Sequence, residues 1–354
     1  MVAMATSRTG VALADIEQAA RSIGEHVHRT PVMSSAYFDA LAGRDLLFKS
    51  ELLQKTGSFK ARGLLNAVLR AKSQGAAAVV THSSGNAGQA LTWAAGRVGI
   101  EAIVVVPESA PAVKKAAIAG YGATVVMCET QAMREPTADR LVRERGGVFV
   151  HPSDDLGVIS GNGTVGLELV EQARLHWVGQ EMDAVIVPVG GGGLIGGIAS
   201  AVKALLPSCK VFGAEPANAD DAFRSKAAGR ILQHERPPDT IADGLKTVLG
   251  QHTFPIVDRL VDEIFLVEEP RIAAATRAVW ERMKLAIEPS AGVGVAVAVS
   301  PEFRERYPEL RRVGVILCGG NVDLGAMAAV IAAAEPLEQA AAPMAKRPRH
   351  AAPG

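Results

Sequence analysis

The chain has 354 residues, enough for two domains or one large one, and 48% apolar content, enough to fill a substantial core. Its 37 Lys plus Arg balance 37 Asp plus Glu, which leaves no electrostatic footprint for nucleic acid or an anionic membrane. No run of about 18 apolar residues marks a membrane span. Cys128, Cys209 and Cys318 are odd in number, widely spaced and without a metal pattern, and read as reduced thiols of a cytoplasmic protein.

In chain order, residues 1–14 lack acidic groups and carry Ser, Thr and one Arg, but show no amphipathic face, so a transit peptide is not favoured. The stretch Gln54-Lys55-Thr56-Gly57-Ser58-Phe59-Lys60-Ala61-Arg62-Gly63 places a lysine behind a small, flexible turn. Apolar residues at Phe59, Leu64, Leu65, Val68 and Leu69 predict a helix over 58–71 that holds Lys60 against a packed interior. A lysine condenses with a carbonyl only when desolvation or a neighbouring charge lowers its pKa. Between 77 and 151, strands at 78–80, 102–106, 124–128 and 148–150 alternate with helices at 86–98, 112–119 and 137–145. That alternation predicts a parallel sheet with helices on both faces. Its first loop, Thr81-His82-Ser83-Ser84-Gly85-Asn86-Ala87-Gly88-Gln89, opens a helix and suits an anion held by backbone amides.

A second series starts at 161, with strands at 184–187, 211–214, 264–267 and 313–317. The first of these strands runs into Gly190, Gly191, Gly192 and Gly193 and then a small-residue helix, a phosphate cradle without a Walker-type Lys-Ser/Thr. Because Gly191 to Gly196 also fit G-x-G-x-x-G, a dinucleotide fold is the alternative for this loop alone. Further on lie an acidic turn, Glu215-Pro216-Ala217-Asn218-Ala219-Asp220-Asp221, and a third loop, Cys318-Gly319-Gly320-Asn321. The Ala- and Pro-rich stretch 335–354 reads as a disordered tail.

In this order, Lys-Thr-Gly-Ser-Phe-Lys, Thr-His-Ser-Ser-Gly-Asn, the tetraglycine loop, Glu-Pro-Ala-Asn-Ala-Asp-Asp, Glu-Arg-Met-Lys and Gly-Gly-Asn-Val-Asp resemble the fold-type II pyridoxal-phosphate enzymes. Within them the chain is most similar to the serine-racemising branch of the serine/threonine dehydratase family, over about 15–334. The resemblance implies an α/β, two-domain, tryptophan synthase β-like fold, each domain a mostly parallel sheet flanked by helices. Residues 1–76 and 153–334 would form the large domain, and 77–152 a small mobile one inserted into it.

By the same resemblance Lys60 carries pyridoxal 5′-phosphate, Phe59 packs beside its ring, Gly190, Gly191, Gly192, Gly193 and Leu194 surround its phosphate, and Asn86 reaches its hydroxyl. Cys318 would face the pyridine nitrogen, where the family more often has serine; otherwise it is a plain buried cysteine. Ser83, Ser84, Gly85, Asn86 and Ala87 would cradle the substrate carboxylate, with Arg134 and Thr247 beside it; Arg134 could equally be a solvated helix-start residue. Ala87 stands where the family has histidine. Lys60 would be the base on one face of the substrate and Ser84 on the other, unless the Ser84 hydroxyl only caps a helix or binds carboxylate. Glu215, the carbonyl of Ala219 and Asp221 would hold magnesium or calcium; taken alone, the acidic turn is a helix cap. Ser35, Lys55, Gln89, Tyr121, Lys284 and Asn321 match an ATP site at a subunit boundary, in which Ala36 replaces a serine. The expectation is a homodimeric, ATP-activated enzyme that takes a small amino-acid substrate, interconverts L- and D-serine and eliminates water from serine. The alternatives are a serine/threonine dehydratase with little racemisation, and an idle nucleotide-binding regulator.

Overall fold

The computed structural model describes residues 10–83, 85–108, 116 and 118–340. Among these, the strands are β1 (Val32–Met33), β2 (Asp45–Ser50), β3 (Ala78–Thr81), β4 (Glu101–Pro107), β5 (Thr124–Cys128), β6 (Val148–Phe149), β7 (Ala184–Pro188), β8 (Lys210–Pro216), β9 (Glu263–Val267) and β10 (Arg312–Leu317). They form a six-stranded sheet, β1-β2-β10-β7-β8-β9, and a four-stranded sheet, β5-β4-β3-β6. Every pairing is parallel except β1 with β2. Strands such as β7 are buried along their whole length, as a sheet covered on both faces requires. The strands expected from the sequence reappear with ends moved by up to two residues. Strand β2 was not expected; its Leu46-Leu47-Phe48 run is too short to separate from a helix by periodicity.

The helices are α1 (Leu13–Ile23), α2 (Ala36–Ala42), α3 (Lys60–Ser73), α4 (Asn86–Val98), α5 (Arg134–Arg145), α6 (Leu156–His176), α7 (Gly193–Leu205), α8 (Asp221–Ala228), α9 (Thr253–Leu260), α10 (Glu269–Met283), α11 (Pro289–Ala298), α12 (Pro301–Arg306), α13 (Leu324–Ala333) and α14 (Leu337–Ala340). The helix expected at 112–119 lies largely outside the described residues. Helix α3 starts at Lys60 rather than 58, because Ser58 is extended and bridges Gly319. The stretch expected to be disordered from 335 instead begins with α14, anchored by buried Leu337 and by the Tyr37 hydroxyl donating to Glu338 at 2.7 Å.

Helix α3 belongs to both halves of the molecule. Its apolar side, Leu64, Leu65, Val68 and Ala71, packs into the core of the four-stranded sheet with Val79, Leu91 and Val104. The other side carries small and polar residues and lies against α6. A Cβ on Gly63 would come within 2.6 Å of the Val158 carbonyl, and one on Gly161 within 2.7 Å of both the Arg62 carbonyl and Gly63 Cα. Helix α6 meets α7 in the same way: a Cβ on Gly163 would sit 3.0 Å from the Gly197 carbonyl. Two glycine-lined crossings therefore fix α3 relative to α7, and with them Lys60 relative to the tetraglycine loop.

Gly161→Ala is expected to cost about 2–3 kcal/mol in urea unfolding, since the two nearest of the three atoms it strikes are backbone and the third is the Asn66 Cβ. Gly96→Ala on α4, where a Cβ meets nothing, is expected to stabilise by about 0.5–1 kcal/mol. Equal effects of the two changes would show that the α3–α6 approach is not a tight constraint.

Candidate active site

Lys60 opens α3 and its Nζ donates to the Pro152 carbonyl at 2.8 Å. The next residue, Ser153, is buried against the tetraglycine loop: a Cβ on Gly193 would lie 2.6 Å from its carbonyl, and one on Gly191 would strike its hydroxyl. Side chains are thereby excluded from the loop. Gly192 adopts φ 81°, and α7 begins there without a side-chain cap, so the first amides of the helix are left for an anion. Leu194 is buried just inside, and Thr247 Cγ2 stands 3.3 Å from where a Gly191 Cβ would be.

The third loop closes the chamber from the opposite side. Phe59 N donates to the Cys318 carbonyl at 3.0 Å and Gly320 N to the Gly57 carbonyl at 2.9 Å. Glu288 N donates to the Gly319 carbonyl at 3.0 Å. The Asn86 amide donates to both carboxylate oxygens of buried Glu288 at 3.1 and 3.2 Å. Asn321 donates to Asn86 Oδ1 at 2.9 Å and to the Thr56 carbonyl at 2.7 Å. Phe59 lies beside the lysine, with Nζ 5.1 Å from its ring centre.

Burial governs the titration of this chamber. It lowers Lys60 to about 8, against opposing pulls from Cys318 and Glu288. It lifts Glu288 to about 7 and pushes the Cys318 thiol well above its ordinary range. Each group is displaced toward its neutral form.

Of the carboxylate loop, Ser83, Gly85, Asn86 and Ala87 are described, and Ser84 lies outside the described residues. Arg134 opens α5 and donates to the His82 carbonyl at 3.1 Å, directly before that loop. The residues matched to a nucleotide site are brought together only in part. Lys55 adjoins Thr56, whose carbonyl binds Asn321, and Gln89 lies in the first turn of the helix that Asn86 opens. Ser35, exposed Tyr121 and Lys284 form no hydrogen bond to Lys55, Gln89 or Asn321.

At the acidic turn, both Glu215 oxygens accept amides of α8, from Ala222 and Phe223 at 2.8 and 2.9 Å. Asp221 Oδ2 accepts from Leu249 N at 3.1 Å, while its buried Oδ1 has no hydrogen bond and faces His234 Nε2 at 3.4 Å. Burial raises Asp221 to about 7 and, with Asp221 as neighbour, raises Glu215 well above its usual value. Two buried neighbouring carboxylates, one with an oxygen that makes no hydrogen bond, fit a hard cation completed by a carbonyl and water. Among the described residues no cluster of three or more His, Cys, Asp or Glu side chains does so.

Sequence reasoning missed Glu288 and the segment 151–154. The signal for the segment was a polar run, His-Pro-Ser-Asp, directly after an apolar strand; Glu288 had none beyond a Glu-Pro helix start. His151 Nδ1 accepts amides of Ser153 and Asp154 at 3.2 and 2.8 Å, shaping the turn that presents the Pro152 carbonyl. Asp154 in turn accepts amides of Gln251, His252 and Thr253 at the start of α9.

The residues fit pyridoxal phosphate: a side-chain-free anion cradle, a partly buried lysine of lowered pKa and a flanking ring converge. Residues 23–319 match the family model described as pyridoxal-phosphate dependent enzyme. Human serine racemase is 51% identical over 319 residues, covering 89% of this chain and 92% of that protein. The crystal structure of serine racemase from Dictyostelium discoideum superposes with a TM-score of 0.83 at 46% identity, over 89% of this chain and 99% of that one. The crystal structure of a T.th. threonine deaminase gives 0.82 at 44% identity, over 88% and 99%. No described helix is long and apolar enough to cross a membrane.

His151 is held at about 4, first by burial and then by neighbouring His82, so folding favours its neutral ring. A group depressed in this way contributes stability that is complete above its unfolded value of 6.5 and lost as pH falls toward 4. His151→Asn keeps an acceptor but does not titrate. Between pH of about 7 and about 4.5 the wild type is expected to lose on the order of 2 kcal/mol more stability than this variant. Parallel melting curves over that range would count against the role of His151 in the turn.

Proposed function

This chain belongs to the family of pyridoxal-phosphate-dependent enzymes, and on that footing we propose that it interconverts L- and D-serine and also dehydrates serine to pyruvate and ammonia. The observation that carries the reading is the position of Lys60, partly buried at the seam where the tetraglycine loop, the Cys318 loop and the Asn86 helix meet. With a pKa of about 8, about a tenth of Lys60 is free amine near pH 7, against less than about one part in a thousand for an ordinary lysine. Pyridoxal phosphate, when bound, supplies an electron sink that acidifies the α proton of an amino acid. Gly190, Gly191, Gly192, Gly193 and Leu194 hold its phosphate, Asn86 its hydroxyl, Phe59 its ring, and Cys318, as a neutral thiol, its nitrogen. The Ser83-to-Ala87 loop, Arg134 and Thr247 orient the substrate carboxylate. Lys60 takes or gives the α proton on one face, and Ser84 does so on the other.

Dehydration with little racemisation is the second reading, favoured by the nearly equal likeness to threonine deaminase. Chiral chromatography of products from L-serine, run beside a pyruvate assay, separates the two. Lys60→Ala is expected to abolish both products. Ser84→Ala is expected to retain pyruvate formation while D-serine falls by about two orders of magnitude, the scale of a lost positioned acid or base. Normal turnover without Lys60 would overturn the whole site; undiminished D-serine without Ser84 would move the second base elsewhere.

Glu215, the Ala219 carbonyl and Asp221 bind magnesium or calcium in this reading, supported by the Asp221 oxygen that makes no hydrogen bond and by the closeness of two buried carboxylates. ATP is the activator, binding through Ser35, Lys55, Gln89, Tyr121, Lys284 and Asn321; the Asn321–Asn86 contact gives it a route to the chamber, and its coupling to substrate must be reciprocal. The enzyme is a cytoplasmic homodimer; its free, buried cysteines suit a reducing compartment, and α13 exposes apolar surface, Leu324 being 72% exposed. Chelation is expected to lower the melting temperature and activity, with magnesium or calcium restoring both in the wild type and neither in Asp221→Ala. A wild type indifferent to chelation would remove the cation.

A further inference from the structure

Behind Lys60, on the side of α3 turned away from the chamber, lies a buried cluster of four charges that the reaction does not use. Arg62 is fully buried. Its Nε and Nη2 donate to Glu51 at 2.8 Å each, and its Nη1 and Nη2 to Glu168 at 2.7 and 2.9 Å. Lys49 completes the set, donating to Glu168 at 2.6 Å, to the Thr30 carbonyl and to Gln172. Two cations face two carboxylates, and the cluster joins the end of β2, the first turn of α3 and the middle of α6.

Stability alone does not account for such a cluster. Buried ion pairs lose to desolvation roughly what they gain in attraction, and apolar replacements are often as stable. Geometry does account for it. Helix α3 starts without a side-chain cap, Phe59 itself already having helical angles, and the turn before it contains Thr56 at φ 57° and Gly57 at φ 73°. The first turn is held only by short i→i+3 bonds, Ala61 N to the Ser58 carbonyl at 3.4 Å and Arg62 N to the Phe59 carbonyl at 3.0 Å, which fray more readily than the bonds of a helix interior. A planar guanidinium forked onto two carboxylates resists both sliding and rotation, which a lysine ammonium does not. Residues two apart on a helix point about 200° apart, so a fork gripping Arg62 from behind orients Lys60 toward Pro152.

We propose that Arg62 is the positioning residue of the active-site lysine: forked onto Glu51 and Glu168, it holds the first turn of α3 so that Lys60 stays aimed into the chamber, where its free amine meets the Pro152 carbonyl. The proposal rests on the reading that Lys60 does the chemistry, but its first test does not. In the holoenzyme, Arg62→Lys keeps the charge and loses the fork. Amide hydrogen exchange read by mass spectrometry is expected to accelerate at least about tenfold over 58–64, while 67–73 and β2 stay within about twofold. With L-serine, kcat is expected to fall at least about tenfold and KM to move less than about threefold, since the carboxylate loop stands on another helix. Unchanged exchange over 58–64, or acceleration spread equally along α3, β2 and α6, overturns the proposal. Should Arg62→Lys fail to fold, Glu168→Gln removes one arm of the fork, and unchanged first-turn exchange there overturns it as well. Turnover surviving in Lys60→Ala would instead sink the catalytic reading and leave the exchange result standing.

Discussion

The arrangement depends on how closely three helices approach. Gly63 against Gly161, and Gly163 against Gly197, let backbones of α3, α6 and α7 come within distances that any side chain would forbid. Lys60 begins the first of these helices and the phosphate loop begins the third. Their separation is thus set by main chain packed on main chain, which has few ways to relax. Ser153 then fits between the two, touching the glycine loop with its own atoms while its neighbour Pro152 receives the lysine.

That tight seam also sets the electrostatics. Desolvation disfavours the ionised forms of Lys60, Glu288, Cys318 and His151 alike. Opposite types of group converge on neutrality, lysine and histidine by falling and the carboxylic acid and thiol by rising. A chamber held neutral can receive an anionic phosphate at helix amides without a fixed countercharge beside the reacting atoms. Hydrogen bonds made there, such as Asn86 to Glu288, are worth more than in water. The Arg62 cluster behaves in the opposite way. There Arg62 is pushed further toward its charged form by Glu51 and Glu168, and Glu168 toward its charged form by Arg62, through hydrogen bonds within 3 Å, although burial still lowers Lys49.

Much of this was legible in the sequence because the signals are local. Four glycines after a buried strand, Ser-Ser-Gly-Asn before a helix and a lysine at the foot of an apolar stripe each declare a backbone geometry within ten residues. Strand β5 and helix α4 end where their patterns end. What stayed hidden depends on distant partners. Glu288 matters through Asn86, some two hundred positions away, and Arg62 through Glu168, over a hundred away. His151 reads as an ordinary strand-end histidine until its ring nitrogen meets the amides of its own turn. Tail disorder was inferred from Ala and Pro content over 335–354; buried Leu337 and the Tyr37–Glu338 hydrogen bond hold its start in α14, and 341–354 lie outside the described residues.

The double allegiance of α3 bears on catalysis at two faces. A reaction that moves a proton across the plane of its substrate needs one group on each side, held in register. Helix α4 and the residues flanking position 84 stand on the four-stranded sheet, and the glycine loop stands on the six-stranded one. If Lys60 rode with only one sheet, any relative motion would change its distance to the groups on the other. Because α3 buries its apolar side in one core and locks its polar side to α6, a displacement of the smaller sheet must either carry α3 along or break its own packing. With Arg62 in its proposed positioning role, that choice is biased toward the glycine loop, and the lysine keeps its place beside the phosphate cradle.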